Sequence, residues 1–289
     1  MMGVIKKVVI PTAGFGTRFL PITKAQPKEM LPIIDKPIIQ YIVEEAVASG
    51  IETIIIVTSQ SKRSLEDYFN FNFELESYLK KTQKKELLSQ IRQISKIANF
   101  VYIHQKGPYG NGTPILNARS VVGNEPFAVV WGDDLLISDK PRLKQLIEIF
   151  QQYQSPVLTA YPVDKEGTKK YGIIEGEKIN SKVIRVEGIV EKPGPWRAPS
   201  RIAAMGGYIL TPDIFDALEK TQLGKNGELW LVDAIFKLSQ KRPIYACLVE
   251  GKHYDVGSKI GWLKANIELG LKHPRIKEEL KKYLKEIRI

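Results

Sequence analysis

The first half of the chain alternates short apolar runs with amphipathic stretches, a pattern that few folds accept. Val8 to Ile10, Thr53 to Thr58, Phe100 to Gln105 and Phe127 to Trp131 are runs of the length and composition of buried strands. Pro37 to Ser49 and Pro114 to Val121, lying between them, carry the spacing of helices. Strand, helix, strand in this order predicts βαβ units and a mostly parallel sheet. Lys62 to Ala98 reads as a polar, mostly helical excursion over one edge, and its alternating acidic and basic residues assign it no chemistry.

After Asp133 the pattern continues with a helix over Lys140 to Tyr153 and a strand over Val157 to Val163. It then changes to short strands punctuated by glycine and proline, at Tyr171 to Glu175, Val183 to Val190 and Met205 to Leu210. Helices return at Pro212 to Glu219, Leu229 to Ser239, Lys259 to Leu269 and in the terminal segment. The expectation is an α/β, Rossmann-like fold. Its mixed, mostly parallel sheet is flanked by helices and followed by a small antiparallel β extension and C-terminal helices. No repeat or flexible linker divides the chain, so residues 1–289 are expected as one unit.

The strongest local feature is Val8-Val9-Ile10-Pro11-Thr12-Ala13-Gly14-Phe15-Gly16-Thr17-Arg18, followed by Pro27-Lys28-Glu29-Met30-Leu31-Pro32. A buried strand that empties into a glycine-bearing loop presents free backbone N–H groups to phosphate oxygens, and glycine lets the main chain approach closely. Arg18 and Lys28 add positive charge where a triphosphate would lie. The loop has neither the Gly-Lys-Ser/Thr of a Walker motif nor the third glycine of the dinucleotide fingerprint. Alone it reads equally well as a structural tight turn; with Arg18 and the Pro-Lys-Glu-Met-Leu-Pro segment it is a strong signal.

Composition narrows the partners without choosing one. A net charge of +11 suits nucleic acid, a membrane surface or phosphorylated small molecules. Much of the basic excess lies at Lys80 to Lys85 and Lys272 to Arg288, where helical spacing makes a solvated face. No nucleic-acid-binding motif is present, no run approaches the roughly 18 to 20 apolar residues of a membrane helix, and Met1 to Lys7 lacks an apolar leader core, so a cytoplasmic protein is expected. The single cysteine, Cys247, reads as a buried inert thiol. His104, His253 and His273 show no metal-ligand spacing and read as structural or surface residues.

These motifs, taken in order, resemble those of the sugar nucleotidyltransferase superfamily, and most closely its bacterial UTP:glucose-1-phosphate uridylyltransferases. The likeness runs through Pro11 to Pro32, Val122 to Pro126, Gly132-Asp133-Asp134, Tyr171-Gly172, Glu191-Lys192-Pro193, Ala198-Pro199-Ser200 and Tyr254-Asp255-Val256-Gly257. It implies transfer of a uridylyl group from UTP to glucose 1-phosphate, giving UDP-glucose and pyrophosphate, in a homodimer or homotetramer. It also implies a nucleotide-binding half over 1–135, a sugar-phosphate-binding half over 136–257 and C-terminal helices over 258–289. Arg18, Lys28, Asp133 and Lys192 are the implied catalytic residues, and Asp133 with Asp255 would hold Mg²⁺, a hard cation suited to oxygen ligands. Ala13, Gly14, Gly16, Thr17, Glu29, Gln105 and Gly110 would meet the nucleotide; Gly172, Glu191, Lys192 and Gly206 would meet the sugar phosphate. On chemistry alone Asp133 is also compatible with a turn aspartate, Glu191-Lys192 with a surface pair, and Gln105 with a loop contact. Asp134 reads as a turn residue.

The chain departs from the resemblance in three places. Gly110-Asn111-Gly112-Thr113-Pro114 stands where Gly-Leu-Gly-His-Ala is usual, so Thr113 removes an imidazole near the expected nucleotide. Gly206-Gly207-Tyr208 replaces Gly-Arg-Tyr, and Glu228 to Asp233 replaces Glu-Ile-Gln-Leu-Thr-Asp. Trp230 either stacks on a sugar or fills a core, and the core reading is preferred. These changes leave the reaction class intact and weaken the claim to glucose, with another hexose 1-phosphate, a thymidylyl donor or a non-catalytic relative as alternatives.

Overall fold

The computed structural model describes residues 4–287; Arg288, counted above with the basic tail, and the first three residues lie outside the described residues. The strands are β1 (Lys7–Pro11), β2 (Pro32–Ile33), β3 (Lys36–Pro37), β4 (Thr53–Thr58), β5 (Asn99–His104), β6 (Phe127–Val130) and β7 (Asp134–Ile137), then β8 (Val157–Pro162), β9 (Gly172–Lys178), β10 (Val183–Glu191), β11 (Ile202–Leu210), β12 (Ile244–Leu248) and β13 (Lys252–Asp255). The helices are α1 (Ile38–Ala48), α2 (Arg63–Phe69), α3 (Phe73–Lys81), α4 (Lys85–Ser95), α5 (Thr113–Asn117), α6 (Arg119–Val122) and α7 (Arg142–Tyr153), then α8 (Asp213–Glu219), α9 (Leu231–Ser239), α10 (Lys259–Gly270) and α11 (Lys277–Glu286). None of them is long and apolar enough to cross a membrane.

Nine strands form one sheet in the order β5-β4-β1-β6-β11-β8-β12-β10-β9. β1, β4, β5 and β6 run parallel, as the apolar runs implied. Successive residues of each strand enter opposite cores: Val8 and Ile10 pack on one face with Ile54 and Ile56, while Val9 packs on the other with Ile55 and Val57. Two-sided burial is why these strands read as continuous runs instead of alternating ones.

The antiparallel strands are arranged differently from the expectation. β11 is not part of a peripheral extension: it lies antiparallel between β6 and β8, in the middle of the sheet. Its burial on both faces, with Ala203, Met205, Ile209 and Leu210 all inside, explains the position. Only β10 and β9 form the antiparallel edge. A second feature was not foreseen. β7 and β13 pair as a two-stranded antiparallel ribbon, with Asp134 opposite Asp255.

Candidate active site

The order β5-β4-β1-β6 places the exit of β1 between a neighbour reached through α1 on one side and a later strand on the other. At such a reversal the loops leaving the carboxyl ends diverge and open a crevice, where α/β sheets bind ligands. Four loops meet this edge. Thr12 and Ala13 leave β1, Ser59 leaves β4, Gln105 leaves β5, and Trp131 to Asp133 leave β6. Thr12 N–H donates to Val57 O at 2.8 Å and Gln105 N–H to Thr58 O at 2.8 Å, so the ladder holds the loops in register beyond the strands.

The glycine loop is shaped by its own contacts. Gly16 has φ +66°, a left-handed conformation that suits glycine, and a Cβ there would come within 3.2 Å of Thr23 Cγ2. Thr23 Oγ1 donates to Gly16 O at 2.9 Å and fixes the bend. A cavity of about 340 Å³ opens beside it, lined among others by Ala13, Gly14, Thr17, Ser59 and Lys62. Gly14 and Thr17 are exposed and Ala13 is half-buried. Arg18 reaches back to donate from Nη1 to Gly257 O at 3.3 Å, tying the glycine loop to the segment after β13.

Lys28 and Asp133 meet directly, with Nζ donating to Oδ2 at 2.6 Å. Each side chain is under a quarter exposed. Burial pulls the Lys28 pKa down, but attraction to Asp133 and Glu29 outweighs it, so the ammonium is held charged more firmly than usual. Asp133 Oδ2 also lies 2.6 Å from where a Cβ on Gly257 would sit, so glycine at 257 is what admits the carboxylate. The Asp134–Asp255 register brings the second implied ligand onto the adjoining strand end. Among the described residues no cluster of three or more metal-ligating side chains exists. Two carboxylates at one edge nonetheless fit Mg²⁺, which takes one or two protein carboxylates and completes its shell with substrate phosphates and water.

Glu29 was expected to approach the nucleotide, but its side chain is buried beneath the floor, where Oε2 accepts from Lys62 Nζ at 2.9 Å and Oε1 has no partner. Lys62 also donates to Thr12 O. Burial raises the Glu29 pKa and lowers that of Lys62, each against the attraction of the other. Lys62 belongs to the segment that the sequence assigned no chemistry. Its signal was position: it follows the exit of β4 by four residues, at the same edge as Asp133.

The sugar-phosphate candidates gather around the β9 and β10 pair. Gly172 lies opposite Glu191 in the ladder, and a Cβ on it would stand 3.2 Å from Glu191 Oε2. Lys192 adopts φ +45°, a left-handed conformation costly for a side-chain-bearing residue and held by its N–H donating to Tyr171 O at 3.2 Å. Its ammonium lies 3.2 Å from Glu191 Oε1 and is half exposed, so it contacts its neighbour and not Asp133. Gly206 sits instead beside the start of β7, donating N–H to Asp134 Oδ2 at 2.9 Å. Gly110, with φ +120°, is pressed so close to the Leu229 backbone that a Cβ would overlap the carbonyl oxygen. Thr113 is buried and spends its hydroxyl on Pro108 O at 2.7 Å, so it faces the loop and not the cavity. Trp230 is half-buried against Gly224, while Leu229 enters the core.

Asp134 is not a turn residue. It opens β7 and accepts from Arg142 Nη1 at 2.8 Å and from Gly206, with His253 Nε2 at 3.2 Å. Burial raises its pKa, but the Arg142 guanidinium and His253 hold it well below the usual carboxylate range.

Residues 7–270 match the nucleotidyl transferase family. The chain belongs to this family. A UTP–glucose-1-phosphate uridylyltransferase of Bacillus subtilis is 48% identical over 283 residues, spanning 98% of this chain and 95% of that protein. Among solved structures, a UTP-bound UGPase from Acinetobacter baumannii superposes with TM-score 0.92 at 39% identity, over 99% of this chain and 100% of that one. A UDP-glucose pyrophosphorylase complexed with UDP-glucose gives TM-score 0.86 at 45% identity, over 93% of this chain and 100% of that one. The crevice therefore lies in a fold shared, nearly end to end, with these proteins.

Proposed function

We propose that this nucleotidyl transferase transfers the uridylyl group of UTP to α-D-glucose 1-phosphate, yielding UDP-glucose and pyrophosphate. The observation that carries the reading is the Lys28–Asp133 contact at the switch-point crevice, beside a glycine loop tied by Arg18 to the Asp255 strand end. Cation, carboxylate and phosphate-binding backbone share one edge, which is what two mutually repelling phosphate groups require. The names of the relatives above supply the donor and the sugar.

An oxygen of the sugar 1-phosphate forms the new bond to the α-phosphorus of UTP. The bond from that phosphorus to the bridging oxygen breaks, and pyrophosphate leaves with the electron pair. The attacking oxygen is already ionised near neutral pH, so no general base is needed. Asp133 and Asp255 would hold Mg²⁺, which supplies charge neutralisation between the phosphates when bound. The chain's own share is positioning and charge: the Gly14–Gly16 turn offers N–H groups to the triphosphate, Lys28 and Arg18 offset its charge, and Gln105 offers a donor and an acceptor to the uracil edge. Glu191 accepts from sugar hydroxyls, and Lys192 reaches the sugar phosphate. Holding two anions in line is a task in which orientation alone lowers the barrier by several kcal/mol.

A pyrophosphate-release assay over a matrix of nucleoside triphosphates and hexose 1-phosphates, with and without Mg²⁺, tests this. Turnover confined to UTP and glucose 1-phosphate with Mg²⁺ is expected. Equal turnover with dTTP, preference for another hexose or metal-independent release would each refute its part. The homodimer or homotetramer belongs to the same proposal and is checked by light scattering. Ile260 and Leu263, 61% and 46% exposed on α10, offer apolar contact surface.

A further inference from the structure

Behind the two candidate metal carboxylates lies a polar cluster that the reaction scheme does not use. Arg142, at the start of α7, has no exposed side-chain surface. Its Nε and Nη2 donate to the two Glu45 oxygens at 3.2 and 3.1 Å, Nη1 donates to Asp134 Oδ1 at 2.8 Å, and Nη2 also donates to Asp134 O at 3.1 Å. Asp134 adds Gly206 N–H and His253 Nε2 to the set. Five elements, α1, α7, β7, β11 and β13, are thereby joined through one guanidinium and one carboxylate. The joint sits one residue from Asp133 and directly across the ribbon from Asp255.

The space the guanidinium fills is also informative. A Cβ on Gly207 would lie 3.0 Å from both Arg142 Cδ and Nε and 2.9 Å from Thr159 Oγ1. The Arg142 side chain therefore occupies the volume that any side chain at 207 would enter. Position 207 is where this chain carries glycine in place of the arginine its resemblance leads one to expect. Asp134 and Glu45 already take four hydrogen bonds from this guanidinium, and a second one at this place would repel the first.

We propose that Arg142 is the positioning residue of the metal edge: through Asp134 it registers the Asp133 strand end against the Asp255 strand end, and it does so from α7 in the slot that a side chain at 207 would fill. This rests on the reading of Asp133 and Asp255 as the Mg²⁺ ligands. Arg142 touches no substrate; its effect reaches the carboxylates through the β7–β13 ribbon. Supporting groups behind metal carboxylates commonly alter metal affinity by about 10- to 100-fold.

The test combines Arg142→Lys, Asp134→Asn, Arg142→Gly and the exchange Arg142→Gly/Gly207→Arg. Each is measured for thermal melting, for Mn²⁺ binding by titration calorimetry in the presence of UTP, and for pyrophosphate release against Mg²⁺ concentration. Arg142→Lys and Asp134→Asn are expected to weaken Mn²⁺ binding and to raise the half-saturating Mg²⁺ concentration by roughly 10-fold or more. UTP binding measured without metal should change less than about threefold, since the glycine loop is untouched. The exchange is expected to recover most of the melting temperature and metal affinity that Arg142→Gly loses. Variants that melt lower but bind Mn²⁺ as the parent does would show Arg142 to be structural only. An exchange no better than Arg142→Gly would end the claim that 142 and 207 share one slot. If the parent protein itself shows no metal-dependent binding, the metal reading fails and not this inference alone.

Discussion

Replacing Lys62 with methionine isolates what the buried Lys62–Glu29 pair contributes. Lys62 is 6% and Glu29 0% exposed, and their contact is 2.9 Å. Methionine keeps most of the side chain's apolar stem but leaves Glu29 without its cation and Thr12 O without its donor. Stranding one partner of a buried pair costs about 3–5 kcal/mol. Lys62 is itself disfavoured as a cation, chiefly by burial, and methionine removes that cost, so the loss belongs at the lower end, about 3 kcal/mol. At roughly 2–4 °C per kcal/mol for a chain of this size, the melting temperature should fall by about 6–12 °C. The sign of the pH dependence follows from Glu29. Its folded-state pKa is raised, chiefly by burial, so its stabilising share is complete below the ordinary carboxylate value and is lost as pH climbs through the raised one. Without the opposing ammonium the rise is larger, so the deficit against the parent should be greater at about pH 8 than at about pH 5.5. Thermal melts without substrate at both values measure this, with Glu29→Gln/Lys62→Met as the partner that restores most of the loss. A single variant melting within about 2 °C of the parent at both values would refute the assignment of Glu29 as a buried charge held by Lys62.

Three further outcomes follow from the same geometry. Asp133→Asn should lower Mg²⁺-dependent turnover by about 100-fold or more while shifting the melting temperature little, and turnover equal to the parent's would remove Asp133 from the metal site. Gly257→Ala places a methyl 2.6 Å from Asp133 Oδ2, so kcat should fall by on the order of 10-fold with a smaller change in the KM for UTP; a change confined to KM would count against it. Gly110→Ala meets both a backbone carbonyl and an unfavourable φ of +120°, so a loss of about 2 kcal/mol or more is expected in denaturant unfolding.

The parallel half of the sheet was legible because two-sided burial leaves a direct mark: Thr53–Thr58 carries four successive aliphatic residues between its terminal threonines and forms β4 with those bounds. β11 was found as a strand, but its place was not, because pairing partners are set by contacts far apart in sequence. Ile202–Leu210 contacts β6 and β8 from a distance of dozens of residues, and nothing local to it distinguishes a central strand from an edge. The β7–β13 ribbon was missed for the same reason, with four residues on each side too short for a pattern.

The site shows where motif reading stops. Gly16, Lys28 and Asp133 stand in motifs, and the fold brings them together at the sheet edge. Glu29 lies in the same motif as Lys28, yet its carboxylate is buried on Lys62 while Lys28 reaches Asp133. Asp133 and Asp134 divide in the same manner: one carboxylate accepts from Lys28 at the crevice, the other from Arg142 in the interior. Asp133 lies in the turn before β7 and Asp134 is the first residue of the strand, so adjacent identical residues receive different environments. Which of the two lies at the crevice depends on where β7 begins and how it pairs with β13, a property of the folded pair and of neither strand alone. A sequence motif can therefore deliver both carboxylates to the edge, but the division between the one at the crevice and the one spent on Arg142 is made by the fold.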